Sequence, residues 1–586
     1  MPKEVINKIN KHTDNGITIY LKLKKCETNA YQFIYPYFHF VLQLRLKKDN
    51  LALPDKKELL PSSGSYNLET NENNEDLMVL GPQLHNPYTV ANITIALSNL
   101  IANEGLGCSS SLFNVRTTHK YVKFMAQNEP QLQILFDDTT LVLFDYPLDR
   151  EVIVPGVYYR DSSITDTLVP TFQYACDPVN YVFPNEVNYS VLANLYLPEE
   201  DELLNTAIQN DSSIDACRDA LVDEALLITN NSLEYSAKTN NTTTDKFKTN
   251  IFGSRNSWFP SGAIVVFDNR KNQYMPVEGV KVRVRRWFEI REALTSISGY
   301  FFIPHKFKRD VNYSIKWERN DFDIRSGFLG QAYFNGPKQS IPWNLWIVSG
   351  KSRHYATAHI AAIHYFYYCQ GFYLTPPPGN TILDPRLKIA VHTAEEPWYM
   401  TGVAATHPGT RVFGAFPVID LYGGSRRSDF IYGTTIHELA HYAHWGFDPY
   451  NYNNDTHSRL RIAESWADGV EWVFAKWRYG SYGDPGDPNF HTGGTNNYQD
   501  RTVGDDDVYT SIVVDMIDNQ NQQVIPSEHS TYYYLYPIDE VNGYQIHEIE
   551  QSLRGVTYWN EWRNNLINNY NNATENNLYA LFASWN

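Results

Sequence analysis

The sequence predicts a multidomain α+β protein: an α/β N-terminal region, then a small β-sandwich, then a mixed sheet with a long functional helix and a helical C-terminal part. Three observations predict it. The chain has 586 residues, more than one hydrophobic core ordinarily organises, so three or four domains are expected. Between about 260 and 335, short apolar runs, one of them strictly alternating, are separated by turn residues, the pattern of strands. Beyond 350 the apolar spacing lengthens to three and four residues, the period of helices, with strand-like runs interposed.

Residues 1–76 are a poorly defined N-terminal segment in which Asp55–Asp76 is polar and reads as a linker. Residues 77–235 read as a folded domain of unassigned role. Helices are expected over Tyr88–Ala102 and over Ile214–Leu227, where Ile214, Cys217, Ala220 and Leu221 share a face. Strand-like runs and turns are expected over Leu132–Tyr146. Residues 236–258 are a second polar linker, rich in Thr and Asn. In 259–335 the strands are Gly262–Asp268, the strictly alternating Val280–Val284, Ser298–Phe302 and Tyr313–Trp317. Arg283, Arg285 and Arg286 are expected on the wet face of their strand. This order of strands resembles the small transthyretin-like, or carboxypeptidase-regulatory-like, β-sandwich. The resemblance implies a structural spacer without chemistry of its own.

Residues 336–586 carry the chemistry. Tyr355, His359, Ile363, Phe366 and Tyr367 place a helix over Ser352–Cys369. His354, His359 and His364 on it are read as packing residues, since a five-residue gap suits one metal poorly. Leu387–Val391 is a strand, and Thr410–Leu421 holds one or two more. The stretch Thr434–Trp445 contains H-E-x-x-H, free of Pro and Gly, with Ile436, Leu439, Ala440 and Ala443 as an apolar side. On a helix His437 and His441 lie one turn apart and face the same way, a spacing at which two neutral imidazoles can bind one zinc ion. Glu438, beside the first histidine, is placed to take a proton from a water on the metal.

Catalytic zinc takes three protein ligands. His444 is close in sequence, but it lies seven residues past His437, roughly 10.5 Å along one helix axis. Three side chains strung along a straight helix cannot converge on one ion at about 2 Å. The metzincin pattern fails as well, because its glycine position is His444 and its last histidine position is Phe447. Glu464 is the better candidate. Trp466, Val470, Val473, Phe474 and Trp477 define a second helix, on which Glu464 and Asp468 lie one turn apart on another flank. One carboxylate could ligate the metal while the other holds an imidazole through its second nitrogen. The competing reading is a solvated acidic face.

H-E-x-x-H followed some twenty residues later by E-x-x-x-D resembles the gluzincin metallopeptidases, the thermolysin-like group. The match is local, from about Thr434 to Trp477. The resemblance implies Zn2+ on His437, His441 and Glu464, with Glu438 as general base and Asp468 orienting the first histidine. It also implies a zincin-type domain whose edge strand pairs with an extended peptide substrate. The turn-rich Gly483–Asn497 would then be a loop at the cleft rim. Helices over Val508–Ile517, Val541–Leu553, Trp559–Tyr570 and Asn576–Trp585 would form the lower lobe. Members of the group often steady the oxyanion with a Tyr or His beyond the zinc motif; His529, Tyr532, Tyr533 and His547 are available, and nothing in the sequence selects among them.

The net charge of −17 disfavours nucleic acid and anionic membrane as partners. No apolar run reaches the length of a spanning helix. Five scattered cysteines give no C-x-x-C pair and no evident disulfide framework, although Cys176 with Cys217 is a conceivable bridge. Phe33–Leu44 is apolar but interrupted by Pro36 and His39, and is not read as a signal peptide. The compartment stays open, with a secreted or cell-envelope setting as the candidate. The function expected is zinc-dependent hydrolysis of peptide bonds. The alternatives are a catalytically silent zincin-fold binding or envelope scaffold, and a zinc hydrolase acting on another bond.

Overall fold

The structure is a computed structural model that describes three short strands before residue 78 and most of residues 78–585. Its larger breaks are 232–256, 393–403, 407–418, 481–500 and 524–532. Most of 1–76, the 236–258 linker apart from its last two residues, residues 410–418 and the Gly483–Asn497 loop therefore lie outside the described residues. The chain divides into two units, Met1–Tyr66 and Asn67–Asn586. The described part of the first is an antiparallel hairpin, His12–Asp14 with Ile17–Ile19. The second unit is mixed α+β, with several sheets and twelve α-helices among the described residues.

Its first part is built on the strand His119–Phe124, which pairs antiparallel with Gln173–Pro178 and Tyr189–Leu195. The helices Val90–Ala102 and Ser213–Ile228 pack together through Ile93, Ala96, Leu100, Ala220 and Leu221. A disulfide joins Cys108 to Cys217. The conceivable Cys176–Cys217 bridge is thus replaced by another, and Cys176 keeps a free thiol on the strand Gln173–Pro178. The expected strand-like run at Leu132 is instead a helix, Glu129–Asp137. Asn128 caps it by accepting from the Gln131 amide at 3.1 Å, Pro130 occupies the first turn, and Leu132, Leu135 and Phe136 are buried at helical offsets.

Two sheets form the sandwich. In one, Ser261–Asp268 pairs antiparallel with Gln273–Pro276 and Tyr300–Phe302, and parallel with Trp343–Ile347. In the other the order is Glu289–Leu294, Lys281–Arg286, Val311–Lys316, Tyr333–Gln339, all antiparallel. Ile264, Val266, Val282, Val284 and Ile315 fill the core. The sheets do not part at 335. Phe322–Ser326 leaves the sandwich to pair parallel with Leu387–His392, and Trp343–Ile347 returns to it.

Arg283, Arg285 and Arg286 are 2%, 3% and 6% exposed, so the wet-face expectation fails. The alternation is real, but the N-terminal part covers the outer face of the strand. Arg283 donates to the Leu143 carbonyl at 2.9 Å and Arg285 to that of Leu148 at 3.1 Å.

A third sheet runs parallel through Phe322–Ser326, Leu387–His392 and Ile419–Tyr422, with Gly330–Gln331 and Ala404–Thr406 antiparallel at its edges. The helix Gly350–Tyr368 packs on it and on the sandwich. One hydrophobic core runs from Ile264 through this sheet to Trp585, taking in the helices Ile512–Ile517, Ile546–Ser552, Trp559–Asn569 and Leu578–Ser584. Among the described residues no helix is long and apolar enough to cross a membrane.

Candidate metal centre

Two helices build the site. The histidine helix, Ser428–Phe447, lies between Gly350–Tyr368 and the carboxylate helix, His457–Tyr479. It is buried on nearly every side, which is why its apolar residues form no single stripe. The carboxylate helix starts at Thr456, whose hydroxyl accepts from the Arg459 amide at 3.1 Å. Trp466, Val470 and Phe474 face the core. Gly469 admits the helix Ile512–Ile517: a Cβ there would stand 2.2 Å from Val513.

The packing of these helices brings three donor atoms together. His437 Nε2 and His441 Nε2 are 3.1 Å apart, and each is 3.2 Å from the same Glu464 oxygen, Oε2. Donors bound to one tetrahedral ion at about 2.0–2.1 Å lie about 3.3 Å from each other. Two imidazole nitrogens and a carboxylate oxygen in such a triangle could hold a metal ion, and the spacing and donor types are compatible with zinc.

The opposite nitrogen of His437 is held from the carboxylate helix. Nδ1 is 3.1 Å from Asp468 Oδ1 and 3.6 Å from Glu471 Oε2. The other Asp468 oxygen, Oδ2, is in an ion pair with Arg501 Nη1 at 2.6 Å. Burial would push the His437 imidazole down, but Asp468 and Glu464 more than offset it and hold its pKa well above the usual value. Burial likewise opposes charge on Glu464, yet His441 and His437 hold that carboxyl well below the usual carboxylate range. His441 Nδ1 is buried with no hydrogen bond to a described residue, so the ring is held through Nε2 and by packing, including the Tyr452 ring 6.3 Å away.

Glu438 is buried beside His437, about 100° further round the helix. His444 turns away from the triangle. It stacks on Phe447, approaches Arg459 at 3.4 Å, and is pushed well below its usual pKa by burial. His359 donates to the Glu278 carbonyl at 3.0 Å, and His364 shares a 2.8 Å hydrogen bond with the Tyr432 hydroxyl. Neither belongs to a donor cluster among the described residues.

Three neighbours escape the sequence reading. Glu471 extends the Glu464 and Asp468 spacing to i, i+4, i+7, and that periodicity could have found it. Arg501 and Tyr509 come from irregular chain; the helix expected over Val508–Ile517 starts only at Ile512, after Tyr509. The Tyr509 ring is 6.4 Å from that of His437, and its hydroxyl donates to Glu464. Burial and the carboxylates keep this phenol protonated. Of the residues available to steady an oxyanion, His529 and Tyr532 lie outside the described residues. Tyr533 opens the turn Tyr533–Leu535, and His547 packs on Tyr373 instead. No protein-family model and no curated protein matches this chain.

Proposed function

We propose that the chain is a zinc-dependent peptidase of the gluzincin type, with a zincin-type domain formed by the third sheet, the two site helices and the C-terminal helices. The observation that carries this reading is the His437, His441 and Glu464 triangle, with Glu438 one residue from the first ligand. Zinc in that triangle would polarise a scissile carbonyl and lower the pKa of a bound water to about 7. Glu438 accepts the proton of the attacking water and passes it to the leaving nitrogen. Asp468 fixes the His437 tautomer with Nδ1 protonated and Nε2 free to ligate, and Arg501 fixes Asp468. Tyr509 holds Glu464. An extended peptide adds antiparallel or parallel to the edge strand Ala404–Thr406. The Cys108–Cys217 bridge supports a secreted or envelope setting, where disulfides persist.

The test is metal content and cleavage measured together. Purified protein is expected to hold one zinc per chain and to digest casein or a mixed peptide library. His437→Ala is expected to lose most of the zinc and all of the cleavage. Full zinc retention in that variant would remove the triangle as the site. Full zinc with no cleavage of any peptide would favour the silent scaffold.

A further inference from the structure

A second charged site lies where the N-terminal part meets the sandwich and the third sheet. A cavity of about 300 Å³ opens there, lined by Leu135, Phe136 and Leu143 on one side and by the edges of two sandwich strands on the other. At its centre is one carboxylate, Glu318. Lys281 Nζ reaches its Oε1 at 2.6 Å, and Lys316 Nζ and Arg386 Nη1 both reach its Oε2 at 2.8 Å. Three cations thus meet at Glu318, and Lys281 also lies 3.7 Å from Glu292. Arg319 also lines the cavity, and Asp138 is the only other acidic group in the described lining. Four positive charges therefore face two negative ones, inside a protein whose overall charge is −17.

Two of the four cations are buried. Lys316 and Arg386 side chains are each 5% exposed, and Arg386 Nε and Arg319 Nε are buried donors without an acceptor. Burial pulls the Lys316 ammonium down to about 8; Glu318 opposes this, and Arg283, Lys281 and Arg386 add to it. A purely structural ion network would match its charges, as Asp323 and Arg325 do nearby at 3.0 Å. Here both buried cations lean on Glu318, with Asp323 and Asp137 acting on Arg386 as well, and the orphaned guanidinium donors are costly unless an anion joins them.

We propose that this cavity binds a compact doubly charged oxyanion of the phosphate type. The donor set suits it. Each ammonium has three N–H donors and commits one of them to Glu318, and a guanidinium fork matches the spacing of phosphate oxygens. The volume leaves room for an organic substituent, so a phosphomonoester fits as well as free phosphate. Because Arg386 also donates to the Phe136 carbonyl at 2.7 Å, the bound anion would brace the N-terminal part against the rest of the second unit.

The probe is inorganic phosphate, titrated into the full-length protein by calorimetry at fixed ionic strength, with chloride and malonate as comparison arms. One saturable site per chain is expected, with no heat from chloride and weaker binding of malonate. Lys281→Gln, at the half-exposed rim, and Arg386→Gln are each expected to weaken phosphate at least tenfold, while His437→Ala leaves it unchanged. Far-ultraviolet circular dichroism checks that each variant is folded; Lys281→Gln keeps the test open should Arg386→Gln misfold. Absence of saturable binding to folded wild type would overturn the proposal, as would equal binding of malonate or unchanged affinity in Lys281→Gln. Binding lost in His437→Ala but kept in Lys281→Gln would place the anion at the metal centre and overturn it too.

Discussion

Asp468 shows how much one side chain can set. One oxygen meets His437 Nδ1 at 3.1 Å and the other meets Arg501 at 2.6 Å, so the imidazole is aimed from outside the triangle. Removing it leaves all three donor atoms in place but frees one ring. Asp468→Ala is therefore expected to weaken zinc about 10- to 100-fold without unfolding the protein, read by competition with a chelator of known affinity. Unchanged affinity would return Asp468 to an acidic helix face. The Glu464 and Asp468 pair was legible because helical spacing puts both on one flank. Arg501 was not legible, because irregular chain has no period to place it, and Tyr509 was not, because it precedes the helix Ile512–Ile517 that was expected to include it.

At the scale of elements, the site depends on how closely helices approach. In an ordinary helix interior, Gly→Ala stabilises by about 1 kcal/mol. At Gly469 the sign is expected to reverse, because the added Cβ would meet Val513 at 2.2 Å. Gly469→Ala should lose about 1–3 kcal/mol in urea unfolding, the usual cost of overpacking, and lower zinc affinity by shifting the carboxylate helix. A stabilised variant would contradict the packing described.

The helix Gly350–Tyr368 carries a different liability. Burial holds its His354 down to about 4 and its His359 to about 3, against a usual value near 6.5. Between those limits the unfolded chain binds more protons than the folded one. Stability is then complete above about pH 6.5 and falls as the pH drops towards 4. Urea midpoints measured across that range should show the decline, and His359→Gln should flatten it. The helix itself was readable from its apolar spacing; the helix Glu129–Asp137 was not, because its Asn128 cap and Pro130 were outweighed by a short apolar run.

Across the whole second unit, the parts expected to be separate are interleaved. Phe322–Ser326 passes from the sandwich to the third sheet, one core continues to Trp585, and arginines of the strand Lys281–Arg286 tie down the N-terminal part. Strand patterns reveal alternation within a strand, not which neighbour covers its outer face, so the buried arginines read as solvated. Nor does sequence separation reveal that Cys108 meets Cys217 across 109 residues. Closing so long a loop constrains the unfolded chain. The double variant Cys108→Ser, Cys217→Ser is expected to lose about 2–4 kcal/mol, seen as an earlier unfolding transition that reducing agent no longer shifts. No loss would mean that the bridge does not form in solution.

The most direct test of the central claim is the hydrolytic rate of zinc-loaded Glu438→Gln against wild type, with zinc measured in the same samples. Gln keeps the shape of the side chain and removes the proton acceptor. One zinc per chain in both proteins is expected, with nearly equal melting temperatures and a rate reduced by at least about 10²–10⁴ in the variant. Equal rates at equal zinc would contradict Glu438 as the base and the mechanism built on it.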